Sequence, residues 1–426
     1  MDKNKTKKRS SNSNKADMKF RDYQKSIISK GIDVVGEYGF VYLAMEVRTG
    51  KTLTSMGIAQ GMGAKSVLFI TKKKAISSIV SDYNLLNPSF EIEIINYESL
   101  HKIKPKLYDL VILDEAHGIG AFPKPSKRAK DVKFIIQKNE PMVILLSGTP
   151  TPESYSQMYH QVYAIPGNPF RQHKNFYRFC DTHVNVTQRI INGLSIRDYS
   201  KGKESIMDAM QPFFLSYSQK EAGFKVQTNE KVMHVKMSPF TYNLANKLKN
   251  DLVVQGKEEV ILADTPVKLM MKLHQIYSGT VKFESGSSQI LDLSKAQFIY
   301  KSFKNKKIGI FYKFKQELLA LKKVFQDSIT TELDDFVSGG KSIALQIISG
   351  REGISLRQAD CLVYYNIDFS ATSYWQSRDR MTTKNRLKND VYWIFSKGGI
   401  EDQIYKAVIG KKDYTLKHFK KDLLSI

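Results

Sequence analysis

The sequence predicts an α/β fold: two tandem lobes, each built on a parallel sheet, with a ligand cleft between them. Three observations carry this. Gly50-Lys51-Thr52 stands between an apolar run, Phe40 to Leu43, and Leu53, Met56 and Ile58 at helical spacing, a strand–loop–helix junction. Asp114-Glu115-Ala116-His117 closes a second apolar run, Leu110 to Leu113. Beyond residue 300 a further set of apolar runs alternates with helical pattern.

The first junction is a phosphate site. A Gly-Lys-Thr opening a helix puts backbone N–H groups and the helix N-terminus around a phosphate. Lys51 is expected to reach the β- and γ-phosphates and Thr52 to hold Mg²⁺. The first glycine of G-x-x-x-x-G-K-[ST] falls at Met45, so the fingerprint is incomplete. The second run supplies what a phosphate loop lacks. A buried strand ending in Asp-Glu delivers two carboxylates to the edge of a parallel sheet, where ligands bind. Asp114 is expected to hold Mg²⁺ and Glu115 to polarise the attacking water in phosphoryl transfer, with ATP and Mg²⁺ as cofactors.

In chain order, residues 1–17 are a polar, basic tail rich in Lys, Ser and Asn. The first lobe is expected over 18–225. A helix carries Ile27, Ile28 and Ile32, and strands read at 40–44, 67–71, 92–96, 109–113 and 142–146, with Ser147-Gly148-Thr149-Pro150 at the tip of the last. From about 155 to 230 the chain is aromatic and aperiodic; these rings are expected to pack more often than to stack on bases. A helical linker region is expected over 226–290, opened by an alternating strand from Lys231 to Met237. The second lobe, 291–426, reads as strands at 308–312, 343–348, 361–366 and 391–395, a helix at 315–326 and a basic helical end. A cleft closed over ATP needs an arginine from this lobe, and Arg351, Arg378, Arg380 and Arg386 follow strands there.

Composition narrows the partners. The formal net charge of +24 over 426 residues points to a polyanion, most simply nucleic acid. No stretch is long and apolar enough to span a membrane, and no secretory signal is evident. Cys180 and Cys361 are isolated and make neither a metal spacing nor a disulfide framework, which fits a cytoplasmic setting.

These residues resemble superfamily-two helicases and, among them, the Swi/Snf-type DNA translocases, over nearly all of the chain from Met18 to about Lys412. Phe20-Arg21-Asp22-Tyr23-Gln24 is similar to the adenine-reading segment, with Gln24 as base reader. Met45 to Thr52 resembles "DEMGLGKT", with Arg48 in place of a glycine. Asn96-Tyr97-Glu98-Ser99-Leu100 resembles "SYESL", which borders the nucleic-acid track, and residues 114–117 resemble the DEAH box. Leu146 to Pro150 resembles "LTGTP", a segment coupling hydrolysis to lobe movement. In the second half, Gly353-Ile354-Ser355-Leu356 resembles "GINL" and Gln376-Ser377-Arg378-Asp379-Arg380 resembles "QAEDR".

The resemblance implies two RecA-like lobes and an ATP-driven motor on nucleic acid, most simply duplex DNA. It implies catalysis by Lys51, Asp114, Glu115, Arg378 and Arg380, and nucleotide contact by Gln24, Arg48 to Thr52 and Gly353. Coupling falls to His117, Ser147, Thr149 and Gln376, and nucleic-acid contact to Tyr97, Ser349 and Arg351. The family's finger arginine would fall at Thr383, so the role is open among Arg378, Arg380 and Arg386. The compact length resembles phage or bacterial members. It implies a monomer on DNA in a bacterial or phage-infected cell, working beside replication, recombination or repair proteins. Two alternatives stay open: a strand-separating DNA or RNA helicase, and a non-hydrolysing nucleic-acid scaffold.

Overall fold

The structure, a computed structural model, describes residues 19–103, 106–191, 194–256, 258–350, 354–383 and 386–410. The basic segment expected at 1–17 and the helix expected to continue past 410 lie outside the described residues. The first lobe opens with α1 (Asp22–Tyr38), β1 (Phe40–Met45), α2 (Lys51–Gly61), β2 (Ser66–Thr71), α3 (Ile76–Leu86) and β3 (Glu91–Asn96). It continues with β4 (Leu110–Leu113), α4 (Lys127–Asn139), β5 (Met142–Leu146), α5 (Met158–Val162) and α6 (Phe176–His183). A hairpin of β6 (Thr187–Ile191) and β7 (Leu194–Asp198), then α7 (Ser205–Met210) and β8 (Phe214–Tyr217), complete it.

Its sheet has the order β3-β2-β4-β5-β1-β8, every neighbouring pair parallel. Strands covered on both faces read as unbroken apolar runs, which is why they were visible in the sequence. Side chains alternate between the faces. Phe40 and Tyr42 of β1 point into one core with Phe176 and Phe179; Val41, Leu43 and Met45 point into another with Met56 and Ile58 of α2. The crossing of α1 and α2 needs glycine. A Cβ at Gly31 would sit 2.4 Å from Ile58 Cδ1, and one at Gly57 would sit 2.5 Å from Ile28 Cδ1. The aromatic stretch packs as expected: Phe170, Phe176, Phe179 and Phe213 are buried.

The second half contains β9 (Gln227–Val235), α8 (Pro239–Asp251), the hairpin β10 (Val253–Gln255) and β11 (Val260–Leu262), and α9 (Pro266–Tyr277). The hairpin β12 (Thr280–Lys282) and β13 (Ser288–Ile290) leads to α10 (Ser294–Ser302), β14 (Ile308–Tyr312), α11 (Lys315–Phe325), β15 (Ile329–Thr330) and α12 (Leu333–Ser338). Then come β16 (Ser342–Gln346), α13 (Ile347–Gly350), β17 (Cys361–Tyr364), α14 (Ala371–Arg378), β18 (Lys388–Ser396) and α15 (Glu401–Ile409). The sheet order is β15-β16-β14-β17-β18-β9, again wholly parallel.

The stretch expected as a helical linker is more than that. β9 lies along β18 for nine register pairs, from Gln227 opposite Lys388 to Val235 opposite Ser396. Leu248 of α8 and Leu273 and Ile276 of α9 share a core with Phe311, Tyr364 and Trp393 of the second sheet. Apolar spacing announces such helices but not the sheet they cover. Among the described residues no helix is long and apolar enough to cross a membrane.

Candidate active site

β1 ends at Met45, inside the first sheet between β5 and β8, and hands the chain to a loop at the carboxyl edge. Two residues of the loop take left-handed backbone: Arg48 at φ 65° and Gly50 at φ 83°. Gly50 is the residue before α2, and a Cβ there would meet Gln24 Nε2 at 2.6 Å. No side chain caps α2, so its first-turn amides face the loop's concavity, an arrangement suited to a phosphate. Neighbours pin the loop. Glu46 accepts from the Gln219 amide at 2.6 Å, Gln219 Nε2 donates to Val47 O at 2.9 Å, and Tyr23 OH donates to Thr49 O at 3.0 Å. Tyr23 stacks on Tyr217, the last residue of β8, at 4.4 Å.

Lys51 Nζ rests on the carbonyl oxygens of Met45 at 3.0 Å and Glu46 at 3.3 Å. Burial lowers its pKa, while Glu115 and Asp114 pull it back up. Gln24, the expected base reader, is buried. Its Oε1 accepts from the Arg21 amide at 3.1 Å and its Nε2 donates to Gly50 O at 3.4 Å, so it ties α1 to the loop. Thr52 follows Lys51 in the first turn of α2, half-buried.

The carboxylates come from the tip of β4. Thr71 Oγ1, at the end of neighbouring β2, donates to Asp114 Oδ2 at 2.7 Å. Burial and the adjacent Glu115 push the Asp114 carboxyl up to about 6, against Thr71, Lys51 and Lys72. Glu115 is also buried, yet His117, Lys51, Lys72 and Arg380 together hold its pKa below the usual value. Above about pH 6 both carboxylates are therefore charged. Glu115 occupies left-handed backbone at φ 50°, strain of the kind that gathers at functional sites. His117 Nδ1 sits 3.3 Å from Glu115 Oε2 and 2.9 Å from Ser147 Oγ, which itself accepts from the Thr149 amide at 3.1 Å. The tips of β4 and β5 thus form one hydrogen-bonded chain.

The second lobe meets this edge with α14 and the turn that follows. Arg380 is buried; its Nε donates to Gln376 O at 2.9 Å and its Nη1 to Ile354 O at 3.4 Å. Its charge acts on both Lys51 and Glu115. Arg48 reaches the other way, donating from Nη2 to Arg380 O at 2.6 Å and Ser355 Oγ at 3.3 Å. A cleft of about 600 Å³ lies between the lobes, lined by Glu115, Gly148, Thr149, Trp375, Gln376 and Arg378 among others. Thr149 Oγ1 and Gln376 Oε1 are buried polar atoms with no hydrogen-bond partner, one from each lobe. Open helix amides, a lysine, paired carboxylates, an arginine from the opposite lobe and these two orphaned oxygens fit a nucleoside triphosphate with a divalent cation.

Several other expected residues are held by contacts of their own. Tyr97, expected on the nucleic-acid track, is buried, and its OH donates to Asp114 O at 2.7 Å; its ring supports the carboxylate strand and has no open face to offer a strand of nucleic acid. Arg378, expected as catalytic, pairs with Glu230 of β9 at 2.7 Å and lies 4.4 Å over the Trp375 ring. Arg386 donates to the carbonyls of Arg357, Ala359, Asp360 and Lys388, which clamps a turn. The side chain of Ser349, together with Arg351 and Gly353, lies outside the described residues. Sequence reasoning missed Thr71, Gln219 and Glu230. Thr71 ends an apolar run beside three lysines, a usable signal; Gln219 and Glu230 act through contacts across more than 140 residues, for which no local pattern exists.

Comparison with known families decides the assignment: residues 45–283 match the SNF2-related domain. The chain belongs to the SNF2-related family. It is an ATP-dependent motor of the Swi/Snf type. The SNF2-related span begins at the last residue of β1 and takes in the phosphate loop, Asp114-Glu115 and the Ser147–Pro150 tip; Arg378 and Arg380 lie beyond it. Among solved structures the chain is similar to the Sulfolobus solfataricus SWI2/SNF2 ATPase core domain, at 16% identity over 92% of this chain and 89% of that one, with a TM-score of 0.41. No curated protein matches the chain.

Proposed function

We propose that this SNF2-related chain is a Mg²⁺-dependent ATPase that translocates on duplex DNA. One observation supports the reading: the phosphate loop and the carboxylate pair share one sheet edge, and the second lobe meets that edge with Arg380 bonded to the loop through Arg48. Bound ATP and Mg²⁺ would supply the phosphoryl group and the divalent charge. Lys51 and the first amides of α2 would bind the phosphates, and Thr52 and Asp114 would hold the cation. Glu115 would orient the attacking water by accepting its hydrogen bond; its depressed pKa keeps it ionised for that role. Arg380 answers the charge that develops on the terminal phosphate. His117, Ser147 and Thr149 carry the state of that centre to the tip of β5.

Exposed Lys73 and Lys74 after β2, and Lys102 after β3, stand at the same carboxyl edge as the phosphate loop. With the net charge of +24 they support backbone contact to nucleic acid that is steeply salt-dependent and blind to sequence. Ser349 and Arg351 are proposed as contacts from the second lobe.

The test is steady-state ATP hydrolysis without nucleic acid and then with duplex DNA, single-stranded DNA or RNA. Stimulation mainly by duplex DNA is expected. Lys51→Ala should lower that rate by at least about a hundredfold, a loss of transition-state charge stabilisation. Stimulation mainly by single strands or RNA would replace the translocase with a strand-separating motor. Equal phosphate release by wild type and Lys51→Ala would end the motor reading.

A further inference from the structure

We propose that Arg48 is a positioning residue that seats Arg380, so that the phosphate loop sets the second lobe's catalytic arginine directly. The proposal rests on the ATPase reading above and deepens it. Arg48 stands in the loop itself, two residues before Gly50, and holds a left-handed backbone at φ 65° that suits glycine. A long cationic side chain kept at such a position has a task that outweighs the strain.

Its contacts define the task. Nη2 donates to Arg380 O at 2.6 Å and to Ser355 Oγ at 3.3 Å. The same Arg380 carbonyl accepts from the Leu356 amide at 2.9 Å. Arg380's own guanidinium is held by Ile354 O and Gln376 O. Residues 354–356, the end of α14 and Arg380 therefore form one hydrogen-bonded unit, and Arg48 is bonded to that unit through Arg380's backbone. A shift of the loop around bound phosphates moves Arg48, and Arg48 moves the peptide that bears Arg380. Arg48 thus acts through Arg380.

The geometry separates this role from simple phosphate binding. Loss of a phosphate ligand would raise the KM for ATP. Loss of a seat for Arg380 leaves binding nearly intact and lowers kcat, because a misplaced group binds but does not catalyse well.

The experiment uses Arg48→Gly, which removes the guanidinium and also relieves the left-handed strain. Structural damage from a strained backbone is therefore excluded as the source of any loss. In the full chain without nucleotide, hydrogen exchange at the Leu356 amide should accelerate about tenfold. With ATP and duplex DNA, kcat should fall about ten- to hundredfold while KM stays within about threefold. In an Arg380→Ala background, which keeps the carbonyl but removes the guanidinium, Arg48→Gly should cost nothing further. Unchanged exchange at Leu356, a loss confined to KM, or an equal loss in both backgrounds would each overturn the proposal. A wild-type chain that fails to hydrolyse ATP would end the motor reading, and the exchange measurement would still decide whether Arg48 holds Arg380.

Discussion

The two lobes share a six-stranded parallel sheet yet deploy their buried charges in opposite ways. In the second lobe the charges answer one another. Lys295 of α10 and Glu401 of α15 pair at 2.7 Å with both side chains fully buried. Lys313 pairs with Asp368 at 2.6 Å, and His274 Nε2 lies 2.6 Å from Asn366 Oδ1, whose amide donates to Glu317 at 2.6 Å. In the first lobe Asp114 and Glu115 sit side by side, and Lys51 leans on two carbonyl oxygens. One scaffold thus supports a lobe whose buried Lys295 and Lys313 each meet a carboxylate of the same lobe and a lobe whose two buried carboxylates adjoin one another at a sheet edge. We propose that function resides in the second kind of arrangement, at a cost in stability.

Three measurements test that contrast. The largest effect is expected at the buried pair. Lys295→Met leaves the buried Glu401 carboxyl without its ion-pair partner and should cost about 3–5 kcal/mol in urea unfolding. A cost under about 1 kcal/mol would mean that the pair is dispensable and the contrast false.

A smaller loss is expected at Asp292, which accepts from the Ser238 amide and Thr241 Oγ1, both at 2.7 Å, and from the Ser294 amide at 2.8 Å and Ser294 Oγ at 2.6 Å. Burial opposes ionisation, but these donors hold the carboxyl at about 2, below its ordinary 3.8. A depressed folded pKa contributes stability that is present above 3.8 and lost as pH falls towards 2. Asp292→Asn should cost about 1–2 kcal/mol at pH 7, less than the full shift because solvent screens part of the site, and little at pH 2, read from unfolding curves at both.

The smallest effect has the opposite sign and lies in the first lobe. Burial and the adjacent Glu115 push the Asp114 carboxyl up to about 6 in the folded chain, from an ordinary 3.8. A raised folded pKa means that ionisation burdens the fold: the penalty is absent below about pH 4, grows with pH and is complete above about pH 6. Asp114→Asn should raise stability at pH 8 by on the order of 1 kcal/mol while abolishing turnover. A less stable Asn variant at pH 8 would show that the first lobe does not trade stability for chemistry.

The fold was largely readable because the central strands are apolar runs buried on both faces and the edge strand β3 alternates Glu and Ile. The runs expected at 40–44, 67–71, 92–96, 142–146 and 308–312 differ from the observed β1, β2, β3, β5 and β14 by one residue at most at either end. What escaped was short or paired at a distance. β15 has two residues and β8 four, too few to show a period. β9 was visible as a strand, but its place beside β18 was not. The site divides the same way. Lys51, Asp114 and Glu115 were legible because a phosphate loop and a strand-end carboxylate pair are local patterns. The buried support role of Tyr97, the capture of Arg378 by Glu230 and the reach of Arg48 to Arg380 depend on side chains meeting from distant segments, which spacing does not encode.

The pairing of β9 with β18 has a consequence for how the protein is made. Asn229 and Asp390, partners across that seam, are 161 residues apart in sequence. At ribosomal speeds the earlier strand waits roughly 10–30 s for its partner to be synthesised. Through that interval its apolar face and its open edge are available to any other chain in the cell. The second lobe is therefore a late, nearly all-or-none assembly of high contact order, and chains cut short before Lys388 should be aggregation-prone and heavily engaged by chaperones.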